Sequence, residues 1–223
     1  MSILLGVFIA LVTSLAANIY VEWLRVPRLV LSAEDPRDDT YGAGFPANQT
    51  RSLTLKLTNR DLPPLARWLL RTPAMQCQAA ITFHDLNGKD RFGDAMAGRW
   101  AKTPEPVPLK IVDNHGNPAG TIADPDRPTF GFRIDIYPGE SESLGLVIRA
   151  DNETDCYGFN NESYGHGWRN PKWKLPNGTY LVKVLIRSSG RRCVGCFRLV
   201  NGTSRAELHL ENASAAERSI LGS

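Results

Sequence analysis

A chain of 223 residues with 42% hydrophobic content has room for one packed domain and an appendage, and is cramped for two. Lysine and arginine number 26 against 23 acidic residues, and a net charge of +3 is too small to mark a nucleic-acid or polyanion binder, so no nucleic-acid partner is expected. Nineteen glycines and fifteen prolines, spread without repeats or low-complexity tracts, fit many short strands joined by turns and argue against disorder away from the two ends.

From Ile3 to Val21 nineteen residues carry no Asp, Glu, Lys, Arg or His, and only Thr13, Ser14 and Asn18 interrupt the apolar run. A helix of about 20 residues matches a hydrocarbon core of about 30 Å. Tyr20 and Trp23 fall where amphipathic rings settle among headgroups, Arg25 and Arg28 follow them, and Pro27 ends the helix. Residues 1–26 are therefore expected as a transmembrane anchor, with the lipid bilayer as its partner. The alternative is a cleaved signal peptide with an apolar region near Ile3 to Val12 and a small-residue site around Ser14-Leu15-Ala16. Met1-Ser2 supplies no cation ahead of the run, and the positive charges lie beyond it, which suits a retained anchor.

Past Pro27, apolar residues at every second position predict strands with one face in a core. The pattern is clear at Leu53, Leu55 and Leu57, at Cys77, Ala79, Ile81 and Phe83, and at Phe130, Phe132, Ile134 and Ile136. It recurs at Tyr180, Val182, Val184 and Ile186, and last at Ala206, Leu208 and Leu210. Further strands are expected at 28–33, 107–112, 143–149 and 194–200, with Leu65 to Arg71 as the helical candidate. Turn chemistry lies between them at Asn87-Gly88, Asn114 to Pro118, Pro138-Gly139, Asn177-Gly178, Ser189-Gly190 and Asn201-Gly202. Eight or nine strands at this spacing predict an all-β antiparallel sandwich over residues 27–211 and a flexible tail over 212–223.

The stretches "LTLKLTNRD", "LARWLLRTPAMQCQAAITF", "GRW" and "FRIDIYPGESESLGLVIRA" resemble the immunoglobulin-like sandwiches that follow a single N-terminal helix in many uncharacterised prokaryotic proteins. The opening "GVFIALVTSLAANIYVEWLRVPRL" is similar to their anchors. The resemblance covers most of the chain and implies an immunoglobulin-like β-sandwich behind one transmembrane helix. It implies no activity, because the matching residues are framework. No cysteine, tryptophan and cysteine fall at the spacing of a pinned antibody-type core.

Cys77, Cys156, Cys193 and Cys196 lack the two close pairs usual in structural zinc sites. Cys77 is on the apolar phase of its strand, and Cys193 and Cys196, three apart on a strand, point to opposite faces. "HDLNGKD" at His84 to Asp90 lacks calcium-loop spacing and reads as a tight Asn-Gly turn, and Asp151 to Asp155 reads as an acidic surface loop. No nucleophile, metal or nucleotide motif is present, so no catalytic residue, metal or cofactor is expected.

The most distinctive segment is Tyr157 to Lys174, which carries Tyr157, Phe159, Tyr164, Trp168 and Trp173 interleaved with His166, Arg169, Lys172 and Lys174. Aromatic faces between cations can stack on sugars and attract anionic groups, making these nine residues the candidate ligand-binding set. The competing reading is that the aromatics close one end of the sandwich core.

Arginines at 25, 28 and 37 follow the helix and none precedes it, which places the sandwich in the cytoplasm. Against this stand six Asn-X-Ser/Thr sequons, at Asn48, Asn152, Asn161, Asn177, Asn201 and Asn212, which suit an extracellular, glycosylated surface. In that compartment a Cys77–Cys156 disulfide becomes a candidate. The expected function is a non-enzymatic, membrane-tethered binding module for a protein or glycan partner. A sugar-binding or enzymatic ectodomain using residues 157–174, or a structural envelope protein, are the alternatives.

Overall fold

The computed structural model describes residues 2–41, 48–66, 68–103, 108–112, 118–123, 133–164, 166–189 and 191–222. The chain opens with α1 (Ser2–Arg25), and the stretch Leu5–Arg25 is long and apolar enough to cross a membrane, with mean hydropathy 1.7. Its large apolar side chains are exposed on the protein, from Leu5 through Ile19. A helix apolar all round fits lipid rather than water.

The strands are β1 (Leu29–Ala33), β2 (Arg37–Tyr41), β3 (Asn48–Asn59), β4 (Ala74–His84), β5 (Met96–Ala97), β6 (Arg99–Trp100), β7 (Pro108–Val112) and β8 (Pro118–Ala123). They continue as β9 (Ile134–Ile136), β10 (Ser141–Ala150), β11 (Cys156–Gly158), β12 (Lys174–Leu175), β13 (Gly178–Ser188), β14 (Arg191–Asn201) and β15 (His209–Asn212). One sheet has the order β1-β3-β10-β11-β12, with β2 beside β3 and β6 beside β10. The second runs β15-β14-β13-β4-β5, with β9 beside β4, and β7 and β8 form a separate pair.

The two sheets are antiparallel and share one core, giving a sandwich-like architecture. Leu53, Leu55 and Leu57 of the first sheet meet Ile81, Phe83, Val182, Val184 and Ile186 of the second, all fully buried. The apolar phase expected in β3, β4 and β13 matches the structure, because each strand turns it into the shared core. In β3 the polar phase is covered as well, with Thr50, Ser52 and Thr54 buried. In β4 and β13, Phe83 faces Val182, Ile81 faces Val184 and Ala79 faces Ile186.

Four expectations need correction or fall outside the described residues. Of the helix expected at Leu65 to Arg71 the described residues show only a 3-10 turn at Pro64–Ala66, and the stretch is instead tied to the end of α1, with Leu69 packed on Val21 and Leu24 and Arg71 and Thr72 hydrogen-bonded to Val26 O and Arg25 O. The last strand begins at His209, not Ala206; residues Arg205–Glu207 are a 3-10 turn. Glu207 folds back there to accept from the Thr203 backbone N–H at 2.7 Å. Residues 212–223, expected as a flexible tail, instead carry α3 (Ala215–Ile220), started by a capping box between Ser214 and Glu217. Leu221 is buried, and Lys183 Nζ donates to its carbonyl at 2.6 Å. Phe130, Phe132 and most of the Asn114 to Pro118 turn lie outside the described residues.

Candidate functional site

The aromatic segment starts at the end of the sandwich remote from α1. Strand β14 runs from Arg191, beside the base of α1, to Asn201, whose side chain donates to the carbonyls of Leu175 and Pro176. Ten steps along an extended strand separate those ends by roughly 30 Å.

Its two tryptophans are buried against the sandwich, while Tyr157, Phe159 and Tyr164 are half-buried. Trp173 lies in the core between the sheets, with Phe92 edge-on at 5.2 Å and its indole N–H donating to Glu162 at 2.9 Å. Trp168 is buried on the outer side of β10, where Phe159 meets it at 4.7 Å and Tyr164 at 5.3 Å. Gly145 admits this cover, since a Cβ there would come within 2.8 Å of the Phe159 ring. A short helix α2 (Asn161–Tyr164) lies within the segment, and its Asn161 accepts a hydrogen bond from Arg99. Tyr157 is half-buried, and burial pushes its hydroxyl pKa up.

Three cations of the segment are ion-paired, two of them with the acidic loop that precedes it. Arg169 pairs with Glu153, Lys174 with Asp155 at 2.6 Å, and Lys172 with Asp94 at 3.5 Å. Lys172 also sits 4.7 Å from the Trp173 ring centre, and His166 is exposed. The structure thus brings all nine residues into one region, but as a packed and ion-paired cover for the sandwich.

The sequons divide in the same way. Asn152, Asn177 and Asn212 are exposed, whereas Asn161 and Asn201 are buried. Asn201 Nδ2 is committed to the carbonyls of Thr154, Leu175 and Pro176 at 3.0–3.2 Å, so a glycan on it is incompatible with this fold. Asn48 has no described side chain. His84 contacts Gly88 O and Thr82 Oγ1, and Asp85 to Lys89 closes as the expected tight turn, with Gly88 at φ +85°.

The four cysteines are free thiols. In β14, Cys193 faces Ile186 and Cys196 faces Lys183, which puts them on opposite faces as their spacing predicts. Cys77 and Cys156 are fully buried, and burial pushes their thiols up to about 11 and about 12. An acid whose folded pKa is raised stabilises the fold fully below its unfolded pKa, and that contribution is lost as pH rises toward the folded value. Stability should therefore decline above about pH 9, by about 1.4 kcal/mol per pH unit for each thiol ionised only in the unfolded chain. Urea midpoints at pH 8 and pH 10 measure this, and the decline should shrink in Cys156→Ala.

A different site forms where α1 meets the sandwich. A cavity of about 550 Å³ is lined by Pro27, Arg28, Leu29, Val30, Arg60, Asp61, Leu62, Pro63, Arg191, Arg192 and Cys193. Strand β1 carries the chain from the helix across the start of β14, and the Cys193 thiol donates to Leu29 O at 3.5 Å. That contact brings the β13–β14 hairpin, with Arg191 and Arg192, beside Arg28 and Arg60. Backbone bonds fix the other side: Arg60 N–H donates to Arg28 O at 2.9 Å, and Arg28 N–H to Asn59 Oδ1 at 3.1 Å.

Among the described residues none of these four guanidiniums has an ion-pair partner, although Arg28 lies over the Trp23 ring at 4.8 Å. Four cations against Asp61 give the cavity a positive field. Neighbouring Arg71 is buried and donates to Val26 O at 3.0 Å, at the carbonyl end of α1. Burial, and then repulsion from Arg28, hold its pKa below the ordinary guanidinium value. The arrangement can accept an anionic group beside the C-terminal end of α1.

Comparisons with protein-family models, curated proteins and solved structures return no match. The geometry alone carries the functional reading.

Proposed function

We propose that this protein is a membrane-tethered, non-enzymatic binding module with an immunoglobulin-like β-sandwich, and that it takes an anionic ligand in the arginine-lined cavity beside its anchor. The observation that carries this reading is the convergence of Arg28, Arg60, Arg191 and Arg192 on one cavity. A pocket of a few hundred Å³ with a few convergent charged groups is the usual form of a small-ligand site. Two antiparallel sheets with strands that cross between them support the immunoglobulin-like assignment, since β3 and β10 lie in one sheet while β4 and β13 lie in the other.

The same arginines favour the cytoplasmic side. Folding adds Arg60, Arg71, Arg191 and Arg192 to the Arg25 and Arg28 that directly follow the helix, and the cytoplasmic leaflet carries the anionic lipids such a cluster attracts. The ligand group is therefore a phosphate or carboxylate, borne by a lipid headgroup or by a soluble molecule.

The test is thermal unfolding of the full-length protein in neutral phosphatidylcholine nanodiscs at constant ionic strength. Inorganic pyrophosphate is the soluble arm, and phosphatidylglycerol in the nanodisc is the lipid arm. A ligand at 100 times its Kd stabilises the bound fold by about 2.7 kcal/mol, a rise in Tm of roughly 5–11 °C for a domain of this size. The rise is expected in at least one arm and should vanish in Arg191→Gln/Arg192→Gln. An equal rise in the variant, or none with either probe, refutes the cavity as an anion site.

A further inference from the structure

The loop between β3 and β4 has two faces. Leu62 and Leu69 are buried against Val21 and Leu24 in the last turns of α1, with Ala66 packed beside them. Hydrogen bonds fasten the loop there, from Thr72 N–H to Arg25 O at 2.7 Å and from Arg71 Nη1 to Val26 O at 3.0 Å. On the other face Leu65, Trp68 and Leu70 are 95%, 78% and 84% exposed. Outside α1, no other large apolar side chain among the described residues exceeds the 53% exposure of Tyr137. Tyr137 itself belongs to the adjoining turn, whose Gly139 lies against Asp61.

The position of the loop identifies what covers these side chains. At 1.5 Å per residue the helix climbs about 24 Å from Leu5 to Val21 and about 29 Å to Leu24, so the loop meets it where a hydrocarbon core of about 30 Å ends. Tyr20 and Trp23, exposed on α1, mark the same level. Tryptophan and leucine flanked by arginines are the side chains that settle at the boundary between headgroups and acyl chains. Arg25, Arg28, Arg60 and Arg71 surround this loop and suit phosphate-bearing headgroups. Arg71 Nε and Nη2 are buried without a protein acceptor.

We propose that residues 61–66 and 68–72 form a second membrane contact, in which Leu65, Trp68 and Leu70 enter the bilayer boundary around the helix exit and hold the sandwich against the membrane surface. The occupant of this apolar face is the lipid bilayer itself. The loop is continuous with the anchor's own membrane interface and carries the same aromatic and arginine chemistry. It rests on the reading of α1 as a spanning helix but not on the anion-binding cavity.

The experiment uses the full-length protein in phosphatidylcholine vesicles, with flotation checked first; failure to float overturns the anchor and the loop together. The emission of Trp68 is isolated as the difference between wild type and Trp68→Phe. Vesicles whose lipids are brominated near the glycerol end should quench most of that difference emission, and aqueous iodide should quench little of it. Quenching by iodide without the bromolipid places the loop in water and overturns the proposal. Protection from both overturns it in favour of cover by a second copy. As a second measurement, Leu65→Ser/Leu70→Ser should leave Tm in detergent unchanged but lower the amide dichroism of the sheets in oriented bilayers. Unchanged dichroism with unchanged Tm counts against the loop as the fastening. None of these variants touches a cavity arginine, so a negative result here leaves the anion-binding reading standing.

Discussion

Replacing Trp173 with alanine is expected to lower the unfolding free energy of the sandwich by about 3–5 kcal/mol. The indole is 1% exposed and lies in the core between the two sheets. Removing it strips Phe92 of one of its two edge-on partners and leaves an empty volume beside Gly158, where the close-packed Trp173 Cβ and Met96 Sδ leave no room for any side chain to fill in. Glu162 also loses the indole N–H it accepts from. Thermal unfolding of the full-length chain in detergent micelles should show a fall of roughly 6–20 °C. Lys172→Ser, one residue earlier, should stay within about 0.5 kcal/mol, because its ion pair with Asp94 is exposed. A loss below about 1 kcal/mol at Trp173 would return the ring to the list of surfaces open to a ligand.

What the sequence made legible follows from where one periodicity holds. Strands β3, β4 and β13 each turn one apolar phase into the shared core, so Leu53 to Leu57, Cys77 to Phe83 and Tyr180 to Ile186 show their strands without a structure. Segment 157–174 stood out by composition, and its location as one cluster was legible; its direction was not. Interleaved aromatics and cations look alike whether the rings face water or a core, and the deciding facts are the acidic partners Asp94, Glu153 and Asp155. The cavity was hidden for a different reason. Arg28, Arg60, Arg191 and Arg192 come from three separated parts of the chain, and only the crossing of β1 over β14 joins them. A signal did exist for the membrane loop: Leu65, Trp68, Leu69 and Leu70 stand beside Pro63 and Pro64, too apolar for a plain connection. The same residues suggested a helix, because a short apolar run satisfies both readings. The sequons misled through turn chemistry, since Asn201 serves as a buried bracket between loops.

Arg149→Leu is expected to destabilise the sandwich by about 4 kcal/mol, at about 1 kcal/mol for each of four acceptors that lose their donor. Alternation in β10 offers no reason for an arginine inside. Leu144 faces Leu55, but the register shifts between Gly145 and Val147, so Leu146 is an extra residue and Val147 faces Leu53. From that bulge onward the odd-numbered residues take the core phase, and Arg149, opposite Arg51, becomes 1% exposed. Its guanidinium then binds across the end of the sandwich, donating from Nε to Glu153 O at 2.8 Å and from Nη2 to Thr203 O at 2.8 Å. Nη1 donates to Asn201 Oδ1 and to Gly202 O, both at 2.7 Å. One side chain thus ties the acidic loop after β10 to the turn after β14, where Asn201 bonds onward to Leu175. Leucine can fill the volume but donates nothing, so the carbonyls stay buried and unpaired. Lysine keeps the charge and has three donors on a single nitrogen, which cannot reach acceptors spread on both loops, so Arg149→Lys should recover about half of the loss. Urea unfolding of wild type, Arg149→Leu and Arg149→Lys in detergent micelles measures the ranking. If the leucine variant unfolds with the wild-type midpoint, the two loops are held by Asn201 alone and the guanidinium is dispensable.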